Sequence, residues 1–150
     1  MGVRCYRDLD TWKLADAFKV EVHRLFEEHG ARTRSWKYRH QLLDSAGAVP
    51  KDIAEGFIRY SPASFVQFLT YGLASLAEAE EWLRDGVLSQ CWSAAQAAPG
   101  LLLAKRCWNA MLRLKHSQEL ELERRRQQRH RDRPRRPRRR KREGTGNRRD

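Results

Sequence analysis

Cysteine is scarce: the 150-residue chain has three, Cys5, Cys91 and Cys107. An odd number without C-x-x-C spacing argues against a disulfide framework and against zinc or dithiol redox chemistry, and it points to a reducing compartment. Long apolar runs are missing too. None approaches the ~20 residues that a membrane-spanning helix needs. The opening stretch MGVRCYRDLD has no apolar signal-peptide core, and Tyr6 stands where a myristoylation signal requires Ser or Thr. The expectation is a soluble, cytoplasmic protein that does not contact a membrane.

Catalytic patterns are equally hard to find. No glycine-rich phosphate loop and no G-x-S-x-G elbow occurs. Helical bundles that hold two metals use Glu-x-x-His pairs. Here Val20, Phe26, Lys37, Arg113 and Gln127 precede His23, His29, His40, His116 and His130 by three positions. No stretch alternates apolar and polar residues between turn signals, so strands are not expected. These absences point to an all-α non-enzyme without cofactor or metal.

What the chain does have is basic charge, and all of the excess lies at one end. The formal net charge is +12. Residues 1–123 carry 16 Lys/Arg and 16 Asp/Glu, whereas residues 124–150 carry 15 Lys/Arg and three acidic residues. The composition therefore divides the chain into a neutral domain, 1–123, and a basic tail, 124–150. The tail contains no Val, Ile, Leu, Phe or Met. It has nothing to bury in a core and is expected to be largely disordered beyond the last helix. Arginine forks grip phosphates bidentately, and counterion release drives such binding. The expected partner is RNA or DNA, held by Arg124, Arg125, Arg126, Arg129, Arg131, Arg133, Arg135, Arg136, Arg138, Arg139, Arg140, Lys141 and Arg142. A solvated polycation without a dedicated partner, or a nuclear-localisation signal in RPRRPRRRKR, fits the same composition.

Four segments repeat apolar residues with helical spacing. In the first, from about Asp8 to His29, Trp12, Ala15, Phe18, Val22 and Leu25 share a face. In the second, from about Ser35 to Arg59, Tyr38, Leu42, Ala46, Val49, Ile53 and Phe57 do so, in phase across Pro50. The third starts at the Ser61 N-cap with Pro62 in the first helical position and carries Phe65, Leu69, Gly72, Leu76, Ala79 and Leu83. The stretch QCWSAAQAAPG, Gln90 to Gly100, reads as a loop. A fourth helix, beginning near Pro99 to Leu101, carries Leu103, Cys107, Ala110 and Leu114 and runs on to Pro134 at the latest. Short connections favour antiparallel neighbours, so the expected fold is an up-down-up-down four-helix bundle.

The blocks DLDTWKLADAFKVEVHRL and HQLLDSAGAVPKDIAEGFIRYSPASFVQFLTYGLASLAEAEEWL resemble the bacterial four-helix-bundle family of 23S rRNA intervening-sequence proteins. Accessory proteins of diversity-generating retroelements are among that family's relatives. The resemblance spans about residues 6–116. It is most specific in Q-x-L-x-x-S-A, in P-x-D-I-A-E-G-F-x-R and in the S-x-x-E of the third helix. Asp52 stands where the family usually has Asn, and Ala74 where Gly often precedes the serine. The resemblance implies an antiparallel bundle, a homopentamer, no catalytic activity, and association with nucleic acid and with a reverse transcriptase.

On a helical wheel, Gln41, Ser45, Ala48, Asp52, Glu55 and Arg59 form a strip well off the apolar face. One reading is a solvated Glu55–Arg59 pair. The other makes Gln41, Ser45, Asp52, Glu55, Gly56 and Arg59, together with Glu78 of the third helix, a subunit or partner contact, in which Gly56 admits a neighbouring helix. Trp12 belongs to the core stripe, while Trp36, Trp82 and Trp92 fit core edges or interfaces. The combined expectation is an oligomeric, non-catalytic nucleic-acid-binding accessory protein. The alternative is an adaptor that docks a reverse transcriptase or another nucleic-acid enzyme.

Overall fold

The computed structural model describes residues 3–30 and 35–132. A short 3₁₀ turn, Tyr6–Asp8, leads into four helices: α1 (Asp10–His29), α2 (Trp36–Ile58), α3 (Pro62–Leu88) and α4 (Ala94–Arg131). Local chemistry explains most of the boundaries. Ser35 Oγ accepts the Tyr38 backbone N–H at 3.2 Å, and Ser61 Oγ accepts that of Ser64 at 3.4 Å. Pro62 needs no hydrogen-bond partner in the first turn of α3. Pro50 lies within α2, buried, and the helix runs on past it to Ile58.

The fourth helix differs from expectation at its start. It begins at Ala94, and only Ser89–Ser93 separate it from α3. Ser93 Oγ accepts the Gln96 N–H at 3.2 Å, and Gln96 Oε1 accepts the Ser93 N–H at 2.7 Å. This reciprocal capping box satisfies two otherwise orphaned donors and starts the helix one and a half turns before Pro99. Trp92, read from the sequence as a loop or edge residue, is 2 % exposed. Its indole N–H donates to the Leu83 carbonyl at 3.1 Å, and Phe26 packs edge-on against it. The turn between α3 and α4 is thereby pinned into the bundle.

Each helix packs on its sequence neighbours, and α4 returns to α1, leaving α1/α3 and α2/α4 on the diagonals. Gly56 of α2 meets Phe65 and Phe68 of α3, Gly72 meets Asp52, and the Tyr38 hydroxyl donates to the Trp82 carbonyl, so α2 and α3 run antiparallel. The expected stripes form the core, with Ala15, Phe18, Val22, Leu42, Ile53, Leu69, Leu76 and Leu83 fully buried. Trp12, Tyr38 and Phe57 only half-enter it. On α4 the buried line is Ala97, Gly100, Ala104, Cys107, Ala110 and Met111. Leu103 and Leu114, expected at its centre, lie on its edges. Small residues on that line let α4 sit close, and the leucines fill its flanks.

Candidate nucleic-acid interface

Helix α4 has 38 residues, against 20, 23 and 27 in the others. At 1.5 Å per residue it is about 57 Å long. Its deepest core contribution ends at Met111, and Gln118 and Arg125 pass the α2–α3 turn beside Tyr60 and Pro62. The chain then projects past the bundle. Nothing structural marks position 123: α4 continues unbroken through Arg131, so the division between domain and tail is one of composition only.

Arg124, Arg125, Arg126, Arg129 and Arg131 are all exposed on this helical end. Arg125 Nε donates to Glu121 at 2.8 Å. Along one face Arg124, Gln127, Gln128 and Arg131 line a shallow recess with Asp132. Cations at a helix C-terminus are favoured by the backbone dipole, whereas Arg125 and Arg129 repel each other one turn apart. The helix therefore sets the backbones of five exposed arginines within about two turns of one another. The remaining expected contacts, Arg133, Arg135, Arg136, Arg138, Arg139, Arg140, Lys141 and Arg142, lie outside the described residues.

The strip on α2 separates into two kinds of residue. Glu55 and Arg59 are exposed and form an i,i+4 ion pair at 2.5 Å, each about half accessible. Arg59 also lies over the Phe68 ring of α3, 4.7 Å from its centroid. Ser45 and Gly56, by contrast, are buried within this chain. The Ser45 hydroxyl donates to its own helix, to the Gln41 carbonyl at 2.7 Å. Gly56 was expected to admit a neighbouring subunit, yet the helix it admits is α3 of the same chain. A Cβ there would lie 2.7 Å from Phe65 Cδ2 and 2.8 Å from Phe68 Cβ. Both positions pack within this chain. Asp52 is half-buried beside Gly72; burial raises its carboxyl above the ordinary range, Glu55 adds to the rise, and Lys51 opposes it. Glu78 is exposed and accepts the Trp82 indole N–H at 3.3 Å from its own helix.

A second stripe on α3 was not read from the sequence. Phe68, Tyr71, Ser75, Glu78 and Trp82 recur at spacings of 3, 4, 3 and 4, and the contact of Gly56 with Phe68 sets this stripe alongside α2. Gln41, Asp52, Glu55 and Arg59 therefore share one surface with Phe68, Tyr71, Glu78 and Trp82. The spacing was visible in the sequence; the side of α3 on which α2 packs was not.

Among the described residues no group of three or more His, Cys, Asp or Glu is placed to hold a metal, and no helix is long and apolar enough to cross a membrane. The three cysteines are free. Cys107 sits in the core, where burial pushes its thiol up to about 12. Trp36 is exposed and lies against His40, with ring centroids 4.0 Å apart and the rings tilted by 50°.

The family model described as 23S rRNA-intervening sequence protein matches residues 7–112, which covers all of α1, α2 and α3 and the packed half of α4. The matched span stops before the arginine-rich end of α4. No curated protein matches the chain.

Proposed function

The chain belongs to the 23S rRNA-intervening sequence protein family, and from that membership we propose a non-catalytic accessory protein that binds RNA or DNA through its basic C-terminal segment and acts as an oligomer. The observation that carries the reading is the unbroken extension of α4 beyond the bundle, with Arg124, Arg125, Arg126, Arg129 and Arg131 all exposed on it. A charge-balanced bundle supplies position, and a segment holding the whole +12 supplies attraction. Assembly into a ring, with a pentamer favoured, sets several such arms side by side, and linked arms bind with effective concentrations in the ~mM range.

The contact between subunits is assigned to the joint α2–α3 surface. Tyr71 is 48 % exposed there, and Phe68 and Trp82 are partly so. Aromatic residues ringed by charge are the composition of a protein interface. The same surface supports the second reading, an adaptor that docks a reverse transcriptase or similar enzyme.

A salt titration of the full chain and of a chain ending at Glu123, against the same RNA and duplex DNA, tests the proposal. With about 6–10 phosphates neutralised, affinity falls roughly 10³–10⁵-fold between 50 and 200 mM salt, and truncation removes most of that slope. Equal affinity and slope in the truncated chain would move the site to the bundle. Light scattering of the full chain checks assembly: a mass of 17.7 kDa at every concentration refutes the oligomer.

A further inference from the structure

Five glycines lie inside the helices, and four of them have a packing reason. At Gly56, Gly72, Gly86 and Gly100 an added Cβ would come within 3.4 Å of a neighbouring side chain. Gly47, in the middle of α2, is the exception: nothing lies within 4 Å of where its Cβ would be. Glycine is the poorest non-proline residue for a helix interior, and close packing does not explain this one. Its open side is the floor of a groove of about 400 Å³ between α1 and α2. That size falls in the range of small-ligand pockets, about 300–1,000 Å³.

The walls of the groove are chemically mixed. Tyr6 and Trp12 form one end, their rings edge-to-face at 5.5 Å. Lys19, His23 and Lys51 line it from the two helices, and Asp44 is the one carboxylate among the lining residues. Lys19 is shared with Asp16 at 2.5 Å, while His23 and Lys51 are exposed. With Lys19 already paired to Asp16, the unshared cation on the groove, among the described residues, is the exposed Lys51; aromatic surface beside that ammonium group suits a ligand that is planar at one end and anionic at the other.

We propose that this groove seats one nucleotide of a single-stranded nucleic acid. The base lies over Gly47 against Trp12 and Tyr6, and the flanking phosphates lie along Lys19, His23 and Lys51. The proposal rests on the reading of the chain as nucleic-acid-binding, and it gives the bundle a role the arginine arm does not have. The arm attracts any polyanion; the groove accepts only an unstacked base, and so favours single strands over duplexes.

The test uses the full chain with ¹⁵N-labelled tryptophan, titrated with a short oligouridylate at physiological salt. The Trp12 indole resonance is identified by its loss in Trp12→Phe. It moves to saturation with the strand and not with a duplex of matched length. Gly47→Leu starts a side chain in open space at Cβ; circular dichroism is expected to show the helix content kept, while the Trp12 response is lost. Binding of the same strand by fluorescence anisotropy stays within about threefold, because the arm still holds phosphates. Lys51→Glu is the second variant and weakens the Trp12 response about tenfold. A strand that binds by anisotropy without moving Trp12, or that moves it equally in Gly47→Leu, overturns the groove alone. If Gly47→Leu abolishes the anisotropy signal as well, the groove carries all binding and the arm reading falls instead. No binding by either measurement refutes both.

Discussion

Two glycines nine positions apart in α2 allow one substitution to be compared in opposite surroundings. Replacing Gly by Ala in a helix interior gains roughly 1 kcal/mol, wherever the glycine sits. At Gly47 the new methyl meets nothing within 4 Å, so that gain stands alone, and the melting temperature should rise by roughly 3–5 °C for a chain of this size. At Gly56 the same methyl would lie 2.8 Å from Phe68 Cβ and 2.7 Å from Phe65 Cδ2. The Phe65 ring is itself buried, 7 % exposed, and packs edge-on against Phe57. Phe68 Cβ is fixed to the α3 backbone, so α2 and α3 must separate. Overpacking of this kind costs about 1–3 kcal/mol. Helix propensity cancels between the two variants, so the difference in their stabilities measures the close approach itself and should equal about 1–3 kcal/mol. Thermal and urea unfolding by circular dichroism, at one fixed protomer concentration, provide the assay, because assembly would otherwise shift both midpoints. Equal stabilities for Gly47→Ala and Gly56→Ala would refute the α2–α3 contact. A Gly56→Ala protein that melts like Gly47→Ala but loses mass by light scattering would return Gly56 to a subunit interface.

Other perturbations follow from single features. Asp52 has a folded pKa raised by burial, so the folded state binds more protons than the unfolded one, and stability falls as pH rises through that range. Asp52→Asn is therefore expected to stabilise at neutral pH, with the advantage shrinking as pH drops into the ordinary carboxylate range; a pH series of urea midpoints checks this, and a constant advantage refutes it. Trp92→Ala removes a side chain that is 2 % exposed and hydrogen-bonded to Leu83, and should cost about 3–5 kcal/mol by urea unfolding. Ser93→Ala removes the hydroxyl half of the α4 capping box; about 0.5–2 kcal/mol should be lost, and hydrogen exchange should quicken first at Gln96. Cys107 should resist alkylation in the native protein while Cys5, partly exposed, reacts; equal labelling would mean that the core opens readily.

The extents of α1, α2 and α3 were legible because they rest on one-helix properties: a 3.6-residue apolar repeat, and the hydroxyl caps Ser35 and Ser61. The charge division was legible for the same reason, since it is composition alone. The start of α4 is encoded as well, in Ser93 and Gln96, but the small, polar stretch Gln90 to Gly100 reads as a loop that puts the start near Pro99, whereas the capping box begins the helix at Ala94. The meaning of Gly56 was not encoded. A helix-interior glycine reads the same whether α3, another subunit or solvent lies opposite, and only the packing of α2 on α3 put Phe65 and Phe68 there. The same holds for Gly47, whose empty front appears only once α1 is set beside it. Likewise the α3 stripe of Phe68, Tyr71 and Trp82 became one surface with Asp52, Glu55 and Arg59 only when the side on which the helices meet was fixed. Periodicity reports which face of a helix avoids water. Which neighbour covers that face, and how closely, is a property of pairs of helices and is decided when they pack.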